Sequence, residues 1–145
     1  MAGSAVATVS SSKGRGIVRV DIDLTCAGGA VSATPIGAYF GRLVAVMSDP
    51  TQGPGATMTA TADILLTDHN TGAPLLTDLS FGAASFYYRP TTAIVDSAGA
   101  AITPATTAPD VNRDIFVAGK LDIAIANATT TDTGRLTLVF EEANA

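Results

Sequence analysis

The stretch GIVRVDIDLTCA, residues 16–27, alternates apolar and polar side chains over most of its length. One side of the extended chain would carry Val18, Val20, Ile22, Leu24 and Cys26. The other side would carry Arg19, Asp21, Asp23 and Thr25. A strict period of two is typical of an antiparallel strand with one face buried and the other in water. The stretch therefore predicts an all-β fold with antiparallel pairing.

Further strand patterns follow along the chain, separated by Gly-rich and Pro-rich turns. The clearest are YFGRLVAVMSD at 39–49, ATMTATADILLTD at 56–68, DIFVAGKLDIAIANA at 114–128 and GRLTLVFEE at 134–142. Residues 74–88 predict a short edge strand and a second strand that ends at Tyr88, whereas 27–37 reads as a loop. About seven short strands with regularly spaced turns predict an antiparallel β-sandwich or a small β-barrel of jelly-roll type.

The composition supports an all-β chain of one domain. The chain has 145 residues, of which 47% are hydrophobic and only 14% are charged. Lysine occurs only at Lys13 and Lys120, and glutamate only at Glu141 and Glu142. These two residue types commonly fill exposed helix faces, so their scarcity argues against a helical protein.

Two extensions flank the predicted β-sandwich domain, which spans residues 16–145. Residues 1–15 form a predicted N-terminal arm without the basic start and continuous apolar stretch of a signal peptide. Residues 89–113 form a long loop rich in Pro, Ala and Thr. Loops of this length inside a compact domain are usually functional or ordered by a partner. Because no segment approaches the ~18 apolar residues of a membrane span, we expect synthesis in the cytoplasm without a membrane partner.

Charge and the rarest residues exclude several kinds of site. The net charge is −5 and the eight basic residues are scattered, which disfavours binding to a nucleic-acid backbone. One cysteine, Cys26, and one histidine, His69, are too few for the usual transition-metal sites within one chain. Cys26 ends an apolar run, so we predict a buried and unreactive thiol. No cofactor and no small-molecule substrate are expected.

The sequence TDHNTG, residues 67–72, resembles the start of a calcium loop. Such a loop needs glycine at its sixth position and glutamate at its twelfth. Counted from Asp68, these positions hold Ala73 and Leu79. The stretch is better interpreted as a hairpin connection in which Gly72 supplies a positive φ.

The sequence motifs of catalytic sites are also missing or incomplete. No Gly-x-Ser-x-Gly elbow occurs, and His69 would lie at the tip of the predicted hairpin, where burial and tuning of its pKa are difficult. Asp21 and Asp23 share a strand face and could bind a cation weakly, but a solvated face is the favoured interpretation. The GRG at 14–16 lacks a phosphate-loop lysine, and the sequon at 127–129 is attributed to chance. We therefore predict no catalytic, cofactor-binding or metal-binding residues.

Three aromatic residues, Phe86, Tyr87 and Tyr88, precede Arg89 and Pro90. Tyrosine and arginine are common interface anchors, and tyrosines can also form a platform for sugars. The favoured interpretation places Phe86 and Tyr88 in the core and Tyr87 on the surface.

The order of these segments resembles a known class of proteins. DILLTDHNTGAPLL, then FYYRP, a Gly/Ala/Pro-rich excursion, AGKLDIAIANA and GRLTLVFEE together resemble small virion proteins of tailed bacteriophages, within residues 56–142. In particular, the chain is similar to capsid decoration (cement) proteins. The resemblance implies a β-rich, commonly trimeric protein that binds the outside of the major capsid lattice, in some cases through an N-terminal arm. It implies no catalytic residues.

We therefore expect a non-enzymatic virion protein on the capsid surface, with the major capsid protein and copies of itself as partners, as a homotrimer. Low charge and uncharged extensions also favour packing between chains. Two alternatives stay open. One is another virion component, such as a tail-tube, head–tail joining or fibre-base protein, and the other is a carbohydrate-binding β-sandwich module. An enzyme is the class that the residues favour least.

Overall fold

All regular elements in the described part of the chain are β-strands. The computed structural model describes residues 3–12, 16–49, 58–78, 86–88, 91–93, 112–129 and 131–142. Its strands are β1 (Ser4–Ser12), β2 (Ile17–Thr25), β3 (Val31–Asp49), β4 (Asp63–Asp68), β5 (Pro74–Asp78), β6 (Phe86–Tyr88), β7 (Thr91–Ala93), β8 (Asn112–Ala126) and β9 (Thr133–Glu142). The predicted all-β fold class is confirmed.

The strands form one antiparallel sheet in the order β1-β2-β9-β3-β8-β4-β5, with β6 beside β3 and β7 beside β8. The 19-residue strand β3 connects the two halves of this sheet. Its residues 31–43 pair with β8, and its residues 41–49 pair with β9. Register shifts interrupt both pairings, and Gly37 and Gly41 have positive φ values. Such irregularities bend a strand, which allows the sheet to fold over in a sandwich-like arrangement.

The core draws on both halves of the sheet. The fully buried side chains include Val20, Ile22 and Leu24 of β2, Leu136, Leu138 and Phe140 of β9, Leu43 of β3, Ile64 and Leu66 of β4, and Leu121 and Ile123 of β8. The apolar residues that alternate in the sequence 16–27 are thus the residues that are buried along β2. Where β3 passes between the two halves, the Tyr39 ring stacks on Phe140 with 5.0 Å between ring centroids. The Tyr39 hydroxyl donates a hydrogen bond to the Ile36 carbonyl oxygen over 2.6 Å.

Two strand boundaries differ from the sequence-based predictions. Strand β3 begins at Val31, inside the predicted loop 27–37, and includes Pro35 and Gly37 where its register shifts. In the strand predicted over 56–68, the described residues, 58–68, are regular only from Asp63 onward. Strand β3 begins earlier because its pairing with β8 is irregular, which periodicity cannot detect. Strand β4 begins later because a turn precedes it, in which the Ala62 amide donates to the Thr59 carbonyl oxygen over 3.1 Å.

The described residues include parts of the predicted arm and of the predicted loop. Within the arm, Ser4–Ser12 is an edge strand that pairs with β2 along nine residues, from Ser4 opposite Thr25 to Ser12 opposite Ile17. Within the predicted loop 89–113, β7 pairs with the first residues of β8, whereas residues 94–111 lie outside the described residues. No helix in the described ranges is long and apolar enough to cross a membrane.

Candidate functional site

The stretch at residues 67–72 connects β4 to β5, as predicted for a hairpin. Gly72 has a φ of 71° and donates its amide to the Asp68 carbonyl oxygen over 2.8 Å. The Asp68 carboxylate accepts hydrogen bonds from the Thr71 hydroxyl at 2.7 Å and the Thr71 amide at 2.8 Å. These hydrogen bonds lower the pKa of Asp68. The carboxylate that suggested a calcium loop therefore closes the turn.

His69 is not free at the hairpin tip, because the turn packs beside β8. Its amide donates to the Lys120 carbonyl oxygen over 3.0 Å. Its Nδ1 lies 2.9 Å from a carboxylate oxygen of Asp122. The His69 side chain is still 39% exposed. The pairing of β4 with β8 brings the two side chains together, a long-range contact that residues 67–78 alone do not reveal.

Replacing His69 with alanine is expected to lower the free energy of unfolding by less than about 1 kcal/mol, since a half-exposed pair contributes little. Urea unfolding at neutral pH measures the change. Asn70→Ala, at an exposed position in the same turn, is the matched control. A loss above about 2 kcal/mol for His69→Ala alone would contradict a minor role for this pair.

Asp21 and Asp23 are paired with neighbouring side chains on the outer face of β2 and β9. Asp23 accepts a hydrogen bond from Arg135 Nε over 2.7 Å, and this contact raises the pKa of Arg135. Asp21 accepts from the Thr137 hydroxyl at 2.6 Å and from Arg19 Nε at 3.1 Å. Among the described residues, no group of three or more His, Cys, Asp or Glu side chains is placed to hold a metal ion. The two aspartates therefore form part of a polar, charge-paired strand face.

A buried carboxylate that the sequence did not single out lies before β9. Asp132 is only 7% exposed. Its Oδ2 accepts hydrogen bonds from the Thr59 amide, the Thr59 hydroxyl and the Thr129 amide, each at 2.9 Å. Burial raises the pKa of Asp132, but these hydrogen bonds outweigh burial and the net direction is downward. This carboxylate joins Thr59, which precedes β4, to Thr129 in the turn before β9, so its role is structural.

Cys26 is buried as predicted, with 3% of its surface exposed. Burial raises the pKa of its thiol, and the nearby Asp132 carboxylate raises it further. A thiol with a raised pKa is a poor nucleophile at neutral pH. Of the three aromatic residues at 86–88, Tyr87 is 72% exposed and pairs opposite Met47. The side chains of Phe86 and Tyr88 lie outside the described residues.

The main candidate for a functional surface is an apolar patch on the outer face of β3 and β8. We call it the phenylalanine patch, and it comprises Ala38, Phe40, Phe116 and Ala118. Phe40 is 61% exposed and Phe116 is 62% exposed. Phe40 lies opposite Ala118, and Phe116 lies opposite Arg42. The two side chains are therefore diagonal neighbours on one face. The backbones of two such diagonal positions are about 7–8 Å apart.

Charged side chains border the phenylalanine patch. Lys120 lies opposite Ala38 and is exposed, and Arg42 forms an ion pair with Glu141 of β9. The backbone beneath the patch is fixed, because Tyr39, Leu43, Ile115 and Val117 project from the same strands into the core. Exposed aromatic groups on a rigid face with a charged border have the composition of a protein-contact surface.

The phenylalanine patch was absent from the sequence-based predictions, although a signal for it exists. In YFGRL, residues 39–43, a period of two places Phe40 opposite to the side that carries Tyr39 and Leu43. The same rule puts Phe116 on the solvent side of DIFVAG. What periodicity cannot supply is the register between β3 and β8, which brings the two rings together.

Comparisons with protein-family models, with curated proteins and with solved structures find no match to this chain.

Proposed function

We propose that this chain is a non-enzymatic structural protein of a bacteriophage virion, a capsid decoration protein that binds the outer surface of the capsid lattice. The observation that carries the proposal is the phenylalanine patch, with Phe40 and Phe116 each more than 60% exposed. The resemblance of residues 56–142 to decoration proteins supplies the class of partner, the major capsid protein.

The phenylalanine patch has the chemistry of an interface centre. Burying a phenylalanine side chain is worth about 1.5–3 kcal/mol, and aromatic residues supply much of the binding energy of protein contacts. Arg42, Glu141 and Lys120 are placed to form a polar rim around such a centre. A partner with an apolar hollow and a charged border would complement this face.

A small patch is sufficient on a symmetric lattice. Each copy that contacts more than one lattice subunit gains from effective concentration, so that weak individual contacts add to firm attachment. The low charge content of 14% also reduces the desolvation cost of covering a large part of the surface. We further propose that the protein contacts copies of itself, as the homotrimer that the resemblance implies.

Replacing both exposed phenylalanines with serine, as Phe40→Ser/Phe116→Ser, is expected to weaken capsid attachment at least about a hundredfold. The fold should survive, because both side chains face solvent. Cosedimentation with capsids assembled from the major capsid protein of the same phage measures attachment. Tyr87→Ser, which removes an exposed aromatic group elsewhere, is the matched control and should bind as the wild type does.

Different failures of this experiment have different meanings. If the double variant attaches to capsids as well as the wild type does, the phenylalanine patch is not part of the interface. If the wild type does not attach to capsids, the decoration role itself is wrong. A ring of six copies together with attachment to tails would then favour a tail component, and binding to glycans would favour a carbohydrate-binding module.

A further inference from the structure

We infer that the free edge of β1 pairs with the β1 strand of a second copy of this chain, antiparallel and across a two-fold axis. Within the described ranges β1 pairs only with β2, so one side of its backbone lacks a strand partner. Backbone groups on such a side are a template for another strand. This inference concerns the isolated chain and does not depend on the virion role.

The composition of β1 favours pairing. Its nine residues, SAVATVSSS, contain no charge, no proline and no glycine. Natural proteins protect exposed edges with charges, prolines or short strands. The opposite edge of the sheet has these protections, since β5 is five residues long, begins with Pro74 and ends with Asp78. The contrast marks the β1 edge as the one that accepts a partner.

Both faces of β1 carry exposed apolar side chains. Val6 on the outer face is 60% exposed, and Val9, on the face that carries Ala5 and Ala7, is 55% exposed. A cavity of about 580 Å³ lies beside the second half of β1. Its walls include Ala7 and Val9 of β1, Ile36 and Tyr39 of β3, and Phe140 of β9. A strand added to the β1 edge would place its own inward side chains next to Val9 and this cavity.

The charge distribution permits the partner to be a second copy. The chain has a net charge of −5, so two copies repel each other weakly at long range, and a contact between them requires surfaces without unpaired like charges. Strand β1 itself is uncharged, and on the neighbouring β2 the carboxylates of Asp21 and Asp23 are paired with Arg19 and Arg135. An antiparallel strand edge is also self-complementary across a two-fold axis. The chain therefore supplies the uncharged, extended partner that this edge requires.

A cysteine scan along β1 tests the pairing directly. A two-fold axis perpendicular to the sheet places one residue of β1 opposite its own counterpart. A disulfide requires Cα atoms about 4.4–6.8 Å apart. Each step of two residues away from the axis moves a residue and its counterpart about 7 Å in opposite directions, so their separation along the strands grows by about 14 Å. Oxidation of single-cysteine variants at each position of β1, from Ser4 to Ser12, should therefore link two chains efficiently at a single position. The yield two residues away should fall at least about fivefold.

The native protein provides the controls. Cys26 is 3% exposed, so the wild type should not cross-link. Ala118→Cys reports on the phenylalanine patch, and the strongest linkage at that position would overturn the inference in favour of contact through that patch. Equal linkage at every β1 position, or none, would also overturn it.

Sedimentation of the reduced wild type gives an independent reading. The β1 contact alone joins two copies of the 14.6 kDa chain, and together with the proposed trimer contact it joins six. Val6→Lys/Thr8→Lys, at two exposed positions of the outer face, should halve the mass without unfolding the chain, because facing lysines repel each other. A wild type that sediments as a monomer or as an isolated trimer would refute the pairing.

Discussion

Phe140→Ala is expected to lower the free energy of unfolding by about 3–5 kcal/mol, the range for removing a buried phenylalanine ring. Phe140 is 1% exposed and stacks on Tyr39 with an interplanar angle of 5°. It lies opposite Val18 in β2 and opposite Leu43 in β3. The substitution therefore leaves a cavity where β9 meets the bend of β3, and the bonded strands around it restrict collapse.

The matched control is Phe116→Ala, which removes the same ring from a position that is 62% exposed. This variant should change the free energy of unfolding by less than about 0.5 kcal/mol, as surface substitutions usually do. Urea unfolding followed by far-UV circular dichroism measures both variants. Equal losses for the two variants would contradict the assignment of Phe140 to the core and Phe116 to a contact surface.

The contrast between these two phenylalanines shows which features of the fold the alternation of apolar residues can predict. In GRLTLVFEE, alternation predicts that Leu136, Leu138 and Phe140 face inward, and all three are buried. Alternation within one strand depends only on the geometry of extended backbone. For this reason the buried faces of β2 and β9 could be predicted from the sequence.

Contacts between distant segments could not be predicted in the same way. The split pairing of β3, first with β8 and then with β9, depends on register shifts near Pro35 and Leu43. The approach of His69 to Asp122 depends on the pairing of β4 with β8. Many registers are compatible with one alternating pattern, and packing of the whole sheet selects among them. The phenylalanine patch depends on such a register, so it became visible only in the folded chain.

The free edge of β1 adds a physical reason for the unusual composition of the first residues. A strand rich in Ser, Thr, Ala and Val can pair along both sides without bringing charges together. In a chain that stayed monomeric, the same edge would be an aggregation hazard. Pairing with a second copy removes this hazard, since the partner strand occupies the exposed backbone groups.

Asp132→Ala is expected to lower the free energy of unfolding by about 2–5 kcal/mol at neutral pH. The carboxylate is the acceptor for the Thr59 amide, the Thr59 hydroxyl and the Thr129 amide, each at 2.9 Å. Its removal leaves three partly buried donors without their acceptor, which costs more than a lost surface hydrogen bond. Thr59→Val removes only the hydroxyl donor, so a double-mutant cycle should show positive coupling of about 1 kcal/mol between the two positions.

The same carboxylate gives stability a defined pH dependence. Hydrogen bonds outweigh burial and hold the pKa of Asp132 below its ordinary value. A carboxyl group whose pKa is lower in the folded chain binds protons more readily when unfolded, so its stabilising contribution is present above the unfolded pKa of about 3.9. That contribution is lost as the pH falls through the lower, folded pKa.

Asp132→Asn should therefore be less stable than the wild type at pH 7, and the difference should shrink as the pH falls below about 4. Urea unfolding of both proteins from pH 7 to pH 2 measures this convergence. A difference that stays constant over that range would show that the ionised carboxylate of Asp132 does not stabilise the turn.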